Sequence, residues 1–336
     1  MGIFGVILYL LAVAFIIYIV RKYFDSPWAN NAIALNGKVI IVTGSSAGLG
    51  INTAQELLRL GARVIMANRN EEKTNRVIQS FGDNLNNNAV FMKLDLSSFQ
   101  SIDAFAKEFS STIGKFDILI NNAGTIEDSF KRTENNIEQT FQANVLSNIL
   151  LTLRLLDLMK PGGRVINVSS ILHSMAKLNM KELLEDTNFD KTPNNFDGGM
   201  EYNKSKLGNV FFTQYLRNYI DKKKLNLTTV SLHPGAVKTD ILRNFQGIKK
   251  ILLMVIYPFL YLTFKSPLAG AQTTLYCTYL EDKEIINGGY YADCDNKNLG
   301  GLGNNDDYRK QYMEYCKLVM KKNHNNFPQN FEEFFA

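Results

Sequence analysis

The chain has 336 residues, 46% hydrophobic and 21% charged, a length and composition that suit one large α/β domain with a sizeable core. Its net charge of +5 comes from 37 basic and 32 acidic residues spread along the sequence. The longest basic run, Lys222-Lys223-Lys224, reads as a solvated loop, so nucleic acid is not implied as a partner.

The first element is apolar. Ile3 to Val20 runs for 18 residues without a charge. At ~1.5 Å per residue this helix is ~27 Å long, close to the ~30 Å hydrocarbon thickness of a bilayer. Arg21-Lys22 follow at once, and Tyr18, Tyr23 and Trp28 are spaced to sit near the interface. A cleaved signal peptide would need a basic n-region and a small-residue cleavage site, and neither is present. The reading is therefore a single-pass, uncleaved anchor over 1–24, followed by a linker over 25–35. Gly2 is a poor myristoylation site because Val6 stands where Ser or Thr is wanted. The basic pair on the C-terminal side of the anchor favours a cytosolic catalytic domain. Cys277, Cys294 and Cys316 are odd in number and lack metal or redox spacing, which agrees with that side. His173, His233 and His324 are equally dispersed, and no metal site is expected.

Short apolar runs then alternate with longer amphipathic ones. The predicted strands are Lys38–Thr43, Arg63–Asn68, Ala89–Leu94, Phe116–Asn121, Arg164–Ser169, Thr228–Leu232 and Gly289–Ala292. Between them, helices are predicted over Leu49–Leu60, Ser98–Ile113, Thr133–Met159 and Tyr202–Ile220. Strands apolar on both faces, each followed by a helix, indicate a single doubly wound parallel sheet of Rossmann type with helices on both faces. The domain is placed at 36–320 and a C-terminal tail at 321–336. Two stretches break the rhythm. A polar, Asn-rich segment over 177–199 reads as an insertion or lid. The apolar segment 251–264, containing Pro258, is too short to span a bilayer and reads as a pocket cover or a membrane-surface contact.

The first strand leads into Thr43-Gly44-Ser45-Ser46-Ala47-Gly48-Leu49-Gly50. A strand, a glycine-rich turn and a helix in this order set unpaired backbone N–H groups against a pyrophosphate. Gly44 is assigned to the tight turn, Gly48 to close approach of the ligand, and Gly50 to helix–strand packing. Ser45, Ser46 and Leu49 complete the turn. The second strand ends at Asn68-Arg69. A carboxylate there would bond a free ribose diol, whereas a guanidinium suits a 2′-phosphate, so NADP(H) is favoured over NAD(H). Asp95 and Leu96, after the third strand, are placed for the adenine.

Several motifs now stand in order: the glycine turn, Asn121-Asn122-Ala123-Gly124 after the fourth strand, Asn144 in the next helix, and Ser169-Ser170 after the fifth strand. Tyr202-Asn203-Lys204-Ser205-Lys206 and Pro234-Gly235 follow. From about Asn36 to Val319 the sequence resembles the short-chain dehydrogenase/reductase family. Its His233-Pro234-Gly235-Ala236-Val237-Lys238-Thr239 and Lys265-Ser266-Pro267 runs resemble the microsomal retinol dehydrogenase branch. Two departures stand out: Ile51 replaces a polar or basic residue usual in that branch, and 32 positions separate Ser170 from Tyr202.

The chemistry of these residue types is coherent. Reducing a carbonyl needs a proton donor for the developing alkoxide, and the reverse reaction needs a base. A free tyrosine titrates near ~10, too high to serve easily as that base. Lys206, four residues on and on the same helix face, would favour the phenolate of Tyr202 together with an oxidised nicotinamide. Ser170 would hold the substrate oxygen. The resemblance implies that Asn144 supports a water relay to Lys206, that Lys206 binds the nicotinamide ribose, and that Asn122, Ala123 and Gly124 line the cofactor. It places Pro234, Gly235, Val237 and Thr239 at the nicotinamide and pyrophosphate end. Singly, each residue has a bland structural reading; the ordered set favours an enzyme.

The expected activity is therefore interconversion of a lipophilic alcohol and its carbonyl, with a retinoid, steroid or long-chain aldehyde as substrate. Three alternatives stay open: a ketosteroid or 3-ketoacyl reductase on the same scaffold, a silent membrane-tethered nucleotide-binding scaffold, and a sugar-nucleotide epimerase, which the Gly44-to-Gly48 spacing opposes. The resemblance places the protein in the endoplasmic reticulum, with lipid droplets also open, and is compatible with a homodimer.

Overall fold

The computed structural model describes residues 3–29, 33–185, 196–237 and 262–336. Among the described residues, eight strands form one sheet in the order β3-β2-β1-β4-β5-β6-β7-β8. They are β1 (Val39–Thr43), β2 (Arg63–Asn68), β3 (Ala89–Lys93), β4 (Phe116–Asn121), β5 (Met159–Val168), β6 (Leu227–His233), β7 (Tyr290–Ala292) and β8 (Asp295–Lys297). Pairing is parallel from β3 to β7. Only β8 runs antiparallel, as the return arm of a hairpin with β7. Three exposed polar residues, Asp295, Asn296 and Lys297, carry none of the apolar pattern that marked the other strands.

The central strands are apolar on both faces because helices cover both. In β1, Ile40 and Val42 face one core and Ile41 the other, all fully buried. The helices Gly48–Arg59 and Pro267–Tyr279 pack on the first face. Phe99–Thr112, Ser147–Leu155, Gly198–Lys223 and Asp306–Asn323 cover the second. Each fully buried Leu, Ile or Phe contributes roughly 1.5–3 kcal/mol, so the two faces together fix the register of the sheet. The strand order reverses between β1 and β4, which leaves a crevice beyond their carboxyl ends.

The predicted helix over Thr133–Met159 differs from what forms. An antiparallel bridge joins Arg132 to Glu138, and Asn136 takes a positive φ of 58°. The Glu138 carboxylate then accepts the N–H groups of Thr140 and Phe141 at 2.8 and 2.7 Å and starts the helix at Gln139. Gln142–Leu146 forms a π turn, and Met159 already belongs to β5. Two helices that the apolar rhythm did not mark, Pro267–Tyr279 and Asp306–Asn323, are started by side-chain caps. Ser266 accepts Ala269 N–H at 3.2 Å, and Asn305 accepts Tyr308 N–H at 3.0 Å.

The segment read as a tail, 321–336, is packed rather than loose. Phe331, Phe334 and Phe335 are buried in the second core, and Asn330 donates to the Leu153 carbonyl at 3.1 Å. At the other end, the helix Ile3–Phe24 is long and apolar enough to cross a membrane, and its apolar window is wholly unburied. Residues 186–195 of the polar insertion lie outside the described residues, as do 251–261 of the apolar segment.

Candidate active site

The glycine turn sits at the crevice. Gly44 and Gly48 have φ of +68° and +52°, a region that side chains with a Cβ rarely adopt. Gly50 meets a steric limit: a Cβ there would lie 2.3 Å from the Gly44 carbonyl oxygen and 2.7 Å from Asn122 Nδ2. The turn is held from below. Thr43 Oγ1 accepts both Asn122 N–H and Ala123 N–H at 3.0 Å, and Asn122 Nδ2 donates to the Thr43 carbonyl at 2.8 Å. Asn68 Nδ2 donates to Ser45 Oγ at 3.0 Å, and Ser45 Oγ donates to the Val42 carbonyl at 3.1 Å. The side chains of Ser45, Asn68 and Asn122 are thus occupied in building the turn.

Arg69 stands at the end of β2 with its side chain 70% exposed, 3.9 Å from Asp95. Asp95 also accepts Ser97 N–H at 2.9 Å, which anchors the loop that carries Leu96. Leu49 and Val237 meet over Gly270, where a Cβ would lie 2.5 Å from a methyl of each. Gly235 has φ +87°, and its N–H donates to His233 Nδ1 at 2.9 Å. Thr239 lies outside the described residues.

Ser170, Tyr202, Lys206 and Asn144 converge despite their separation in sequence. The Ser170 hydroxyl lies close enough to the Tyr202 phenol to favour its ionised form, and its Oγ accepts the Leu172 N–H at 3.3 Å. Lys206 Nζ lies 5.5 Å from the centroid of the Tyr202 ring and donates to the Val168 carbonyl, at the end of β5, at 2.9 Å. Asn144 sits in the π turn, fully buried, in the kind of local helix widening that often marks functional positions. Its Oδ1 accepts Thr125 N–H at 2.8 Å, and its Nδ2 donates to the Thr125 carbonyl and to Ser205 Oγ, both at 2.9 Å. Gly124 leaves the space between the two groups: a Cβ there would lie 3.1 Å from Lys206 Nζ and 3.6 Å from Asn144 Oδ1. The neighbouring Ser169 is turned away, its hydroxyl bonded to the Lys206 carbonyl at 2.7 Å.

Burial dominates the electrostatics. It pushes the Tyr202 phenol up to about 12, with the nearby Ser170 hydroxyl pulling the other way. It lowers the Lys206 ammonium to about 8. The protein alone therefore keeps Tyr202 protonated, contrary to a simple picture in which Lys206 sets its acidity. Three contributors escaped the sequence reading. Thr43 and Thr125 supply hydrogen-bonding groups to the two loops, and their signal was only a strand end and a loop. His173 is buried, its Nδ1 2.7 Å from the Ser170 carbonyl, with Tyr290 against its ring.

A family profile described as short chain dehydrogenase matches residues 38–181. The chain is 35% identical over 294 residues to human retinol dehydrogenase 11, covering 85% of this chain and 88% of that protein. It is 31% identical over 290 residues to human polyprenol dehydrogenase, covering 84% and 85%. Among solved structures, an uncharacterised protein from Mycobacterium paratuberculosis superposes with a TM-score of 0.70 at 23% identity, over 90% of this chain and 99% of that one.

Proposed function

The chain belongs to the short-chain dehydrogenase family, in its retinol dehydrogenase-like branch, and on that premise we propose that it is a membrane-anchored, NADP(H)-dependent oxidoreductase that interconverts a lipophilic alcohol and its aldehyde or ketone. The observation that carries this reading is the gathering of the Ser170 hydroxyl, the Tyr202 phenol and the Lys206 ammonium at the carboxyl end of β5. The residues fit a nicotinamide dinucleotide, because the turn admits no side chain at Gly44 or Gly50 and lies at the same crevice. A bound nicotinamide would supply or accept the hydride. Ser170 would hold the substrate oxygen, Tyr202 would give it a proton during reduction, and Lys206 would hold the nicotinamide ribose and a positive charge beside the phenol. Asn144 would order the proton path behind Lys206.

Retinol and polyprenol, named for two relatives, are both long apolar alcohols, and the exposed N-terminal helix suits a protein that meets such substrates at a bilayer, here the endoplasmic reticulum with the domain on the cytosolic side. The test is NADPH consumption by the purified full chain across all-trans-retinal, a polyprenal, fatty aldehydes and ketosteroids. Turnover of at least one apolar carbonyl is expected. Failure on every one of them, with the cofactor bound normally, would remove the substrate assignment.

The cofactor preference rests on Arg69, exposed and free to swing from Asp95 to a 2′-phosphate. Charge-assisted bonds of this kind contribute ~1.5–3 kcal/mol, so Arg69→Glu should lower the NADPH-to-NADH ratio of kcat/KM by about 10–100-fold. An unchanged ratio would place the selection elsewhere.

A further inference from the structure

The foot of the N-terminal helix is bonded to the domain beside the nicotinamide end of the cleft. Arg21, in the last turn, donates from Nη2 to both oxygens of Asp25 at 3.0 and 3.1 Å. Its Nη1 donates to the carbonyls of Leu262 and Phe264. Asp25 Oδ1 in turn accepts Ser266 N–H at 2.7 Å, and Ser266 caps the helix Pro267–Tyr279. Farther along, Ala29 N–H donates to Gln272 Oε1 at 3.1 Å, on the same helix.

The receiving segment is tied to the cleft. Lys265 N–H donates to the Ala236 carbonyl at 2.7 Å, Val237 bridges to Lys265, and the Lys265 ammonium pairs with Asp293 at 2.7 Å. Gly235 lies against the Lys265 stem, where a Cβ would be 2.9 Å from Cδ. A path of hydrogen bonds one or two residues long thus joins Arg21 to the Gly235–Val237 loop.

A basic residue at the end of a membrane helix ordinarily turns its charge toward lipid phosphates and water. Lys22 is exposed and free to do so. Arg21 is not: its side chain is only 17% exposed and its guanidinium points into protein carbonyls and a carboxylate. The bonding of Arg21 therefore serves the relation between helix and domain rather than the lipid headgroups.

We propose that Arg21 and Asp25 are a positioning pair that holds the catalytic domain at a fixed tilt on the bilayer, with the nicotinamide end of the cleft against the lipid surface. This rests on the proposed membrane insertion and apolar substrate. The pair touches no reacting atom; it sets where an apolar carbonyl dissolved in the bilayer meets the cleft. Without it the anchor still holds the protein to the membrane, but the domain swings about the foot of the helix and the local concentration of bilayer-borne substrate at the cleft falls.

The chain's single tryptophan, Trp28, lies at this foot and is 43% exposed, a native depth reporter. Full-length protein, Arg21→Gln, Asp25→Asn and Lys22→Gln are compared in phosphatidylcholine vesicles whose acyl chains carry bromine at graded depths. Trp28 quenching is expected to peak sharply at one depth in the parent and in Lys22→Gln, and to broaden in Arg21→Gln and Asp25→Asn. With all-trans-retinal dissolved in the vesicles, the two clasp variants should raise KM by about 5–10-fold at unchanged kcat, as expected for a lost effective concentration. Their kcat/KM for a short water-soluble aldehyde should stay at the parent value. Identical quenching profiles in all four proteins, or equal losses on both aldehydes, overturn the proposal. If no aldehyde is turned over at all, the substrate reading fails, and the quenching comparison still decides the clasp.

Discussion

Tyr202→Phe should lower kcat for carbonyl reduction by about 10³-fold, within the range that a positioned general acid contributes, while the dissociation constant for NADPH changes little. The substitution removes one oxygen and keeps the ring that lies 5.5 Å from Lys206 Nζ. It leaves the helix Gly198–Lys223 folded, since the ring stays buried among the same neighbours. Cofactor titration by fluorescence and single-turnover rates separate the two effects. A variant that keeps a tenth or more of the parent rate would deny Tyr202 its role as proton donor. The pH profile of the parent offers a second reading of the same site. Burial lowers the Lys206 ammonium to about 8 and raises the Tyr202 phenol to about 12. Below about 8 both groups hold their protons, and the lysine carries its charge beside the phenol. As pH rises through about 8 the lysine becomes neutral while the tyrosine remains a donor. Reduction at saturating substrate should therefore be flat in weakly acidic and neutral solution and decline above that point. A decline that sets in only above pH 10 would mean that another group holds the ammonium charged.

The second large effect concerns a glycine. Gly50→Ala should weaken NADPH binding by at least about 100-fold and lower stability by roughly 1–3 kcal/mol, the usual range for overpacking a well-filled site. The added methyl group would lie 2.3 Å from the Gly44 carbonyl oxygen, 2.7 Å from Asn122 Nδ2 and 2.8 Å from Ser45 Cα. Two of these three atoms are backbone, and the third is pinned by its bond to Thr43, so none can retreat cheaply. The turn must open, and the N–H groups that face the pyrophosphate lose their common aim. Calorimetric titration with NADPH and thermal melts of the same preparation check both numbers. Gly82→Ala, at a site of φ +84° where a Cβ meets nothing within 4 Å, strains the backbone without overpacking and should leave NADPH affinity unchanged. Normal NADPH affinity in Gly50→Ala would show that the turn yields without cost.

Much of this protein was readable in its order of residues. Apolar runs such as Val39–Thr43, Arg63–Asn68 and Phe116–Asn121 became strands where they were expected, because a strand buried on both faces keeps a nearly continuous apolar centre. The glycine turn was legible for a similar reason: its constraint is steric and local, and only glycine satisfies it. The exposed apolar helix at the N-terminus followed from length and hydropathy alone. Motif order supplied Ser170, Tyr202, Lys206 and Asn144 as candidates. Whether the 31 residues between them let Ser170 and Tyr202 meet was beyond any local pattern, and the parallel sheet decides it by bringing the end of β5 beside the helix Gly198–Lys223. Contacts between distant segments also decide that Ser45 and Asn68 brace the turn, that Ser169 faces away, and that the segment after Asn323 closes the core. Arg21 shows the difference most clearly. In sequence it is a flanking charge that sets membrane topology, but in the folded chain it also meets the carbonyls of Leu262 and Phe264, more than two hundred residues away. Pattern fixes what a residue can do with its neighbours in the chain; which distant carbonyl, carboxylate or ring it meets depends on the packing of the whole.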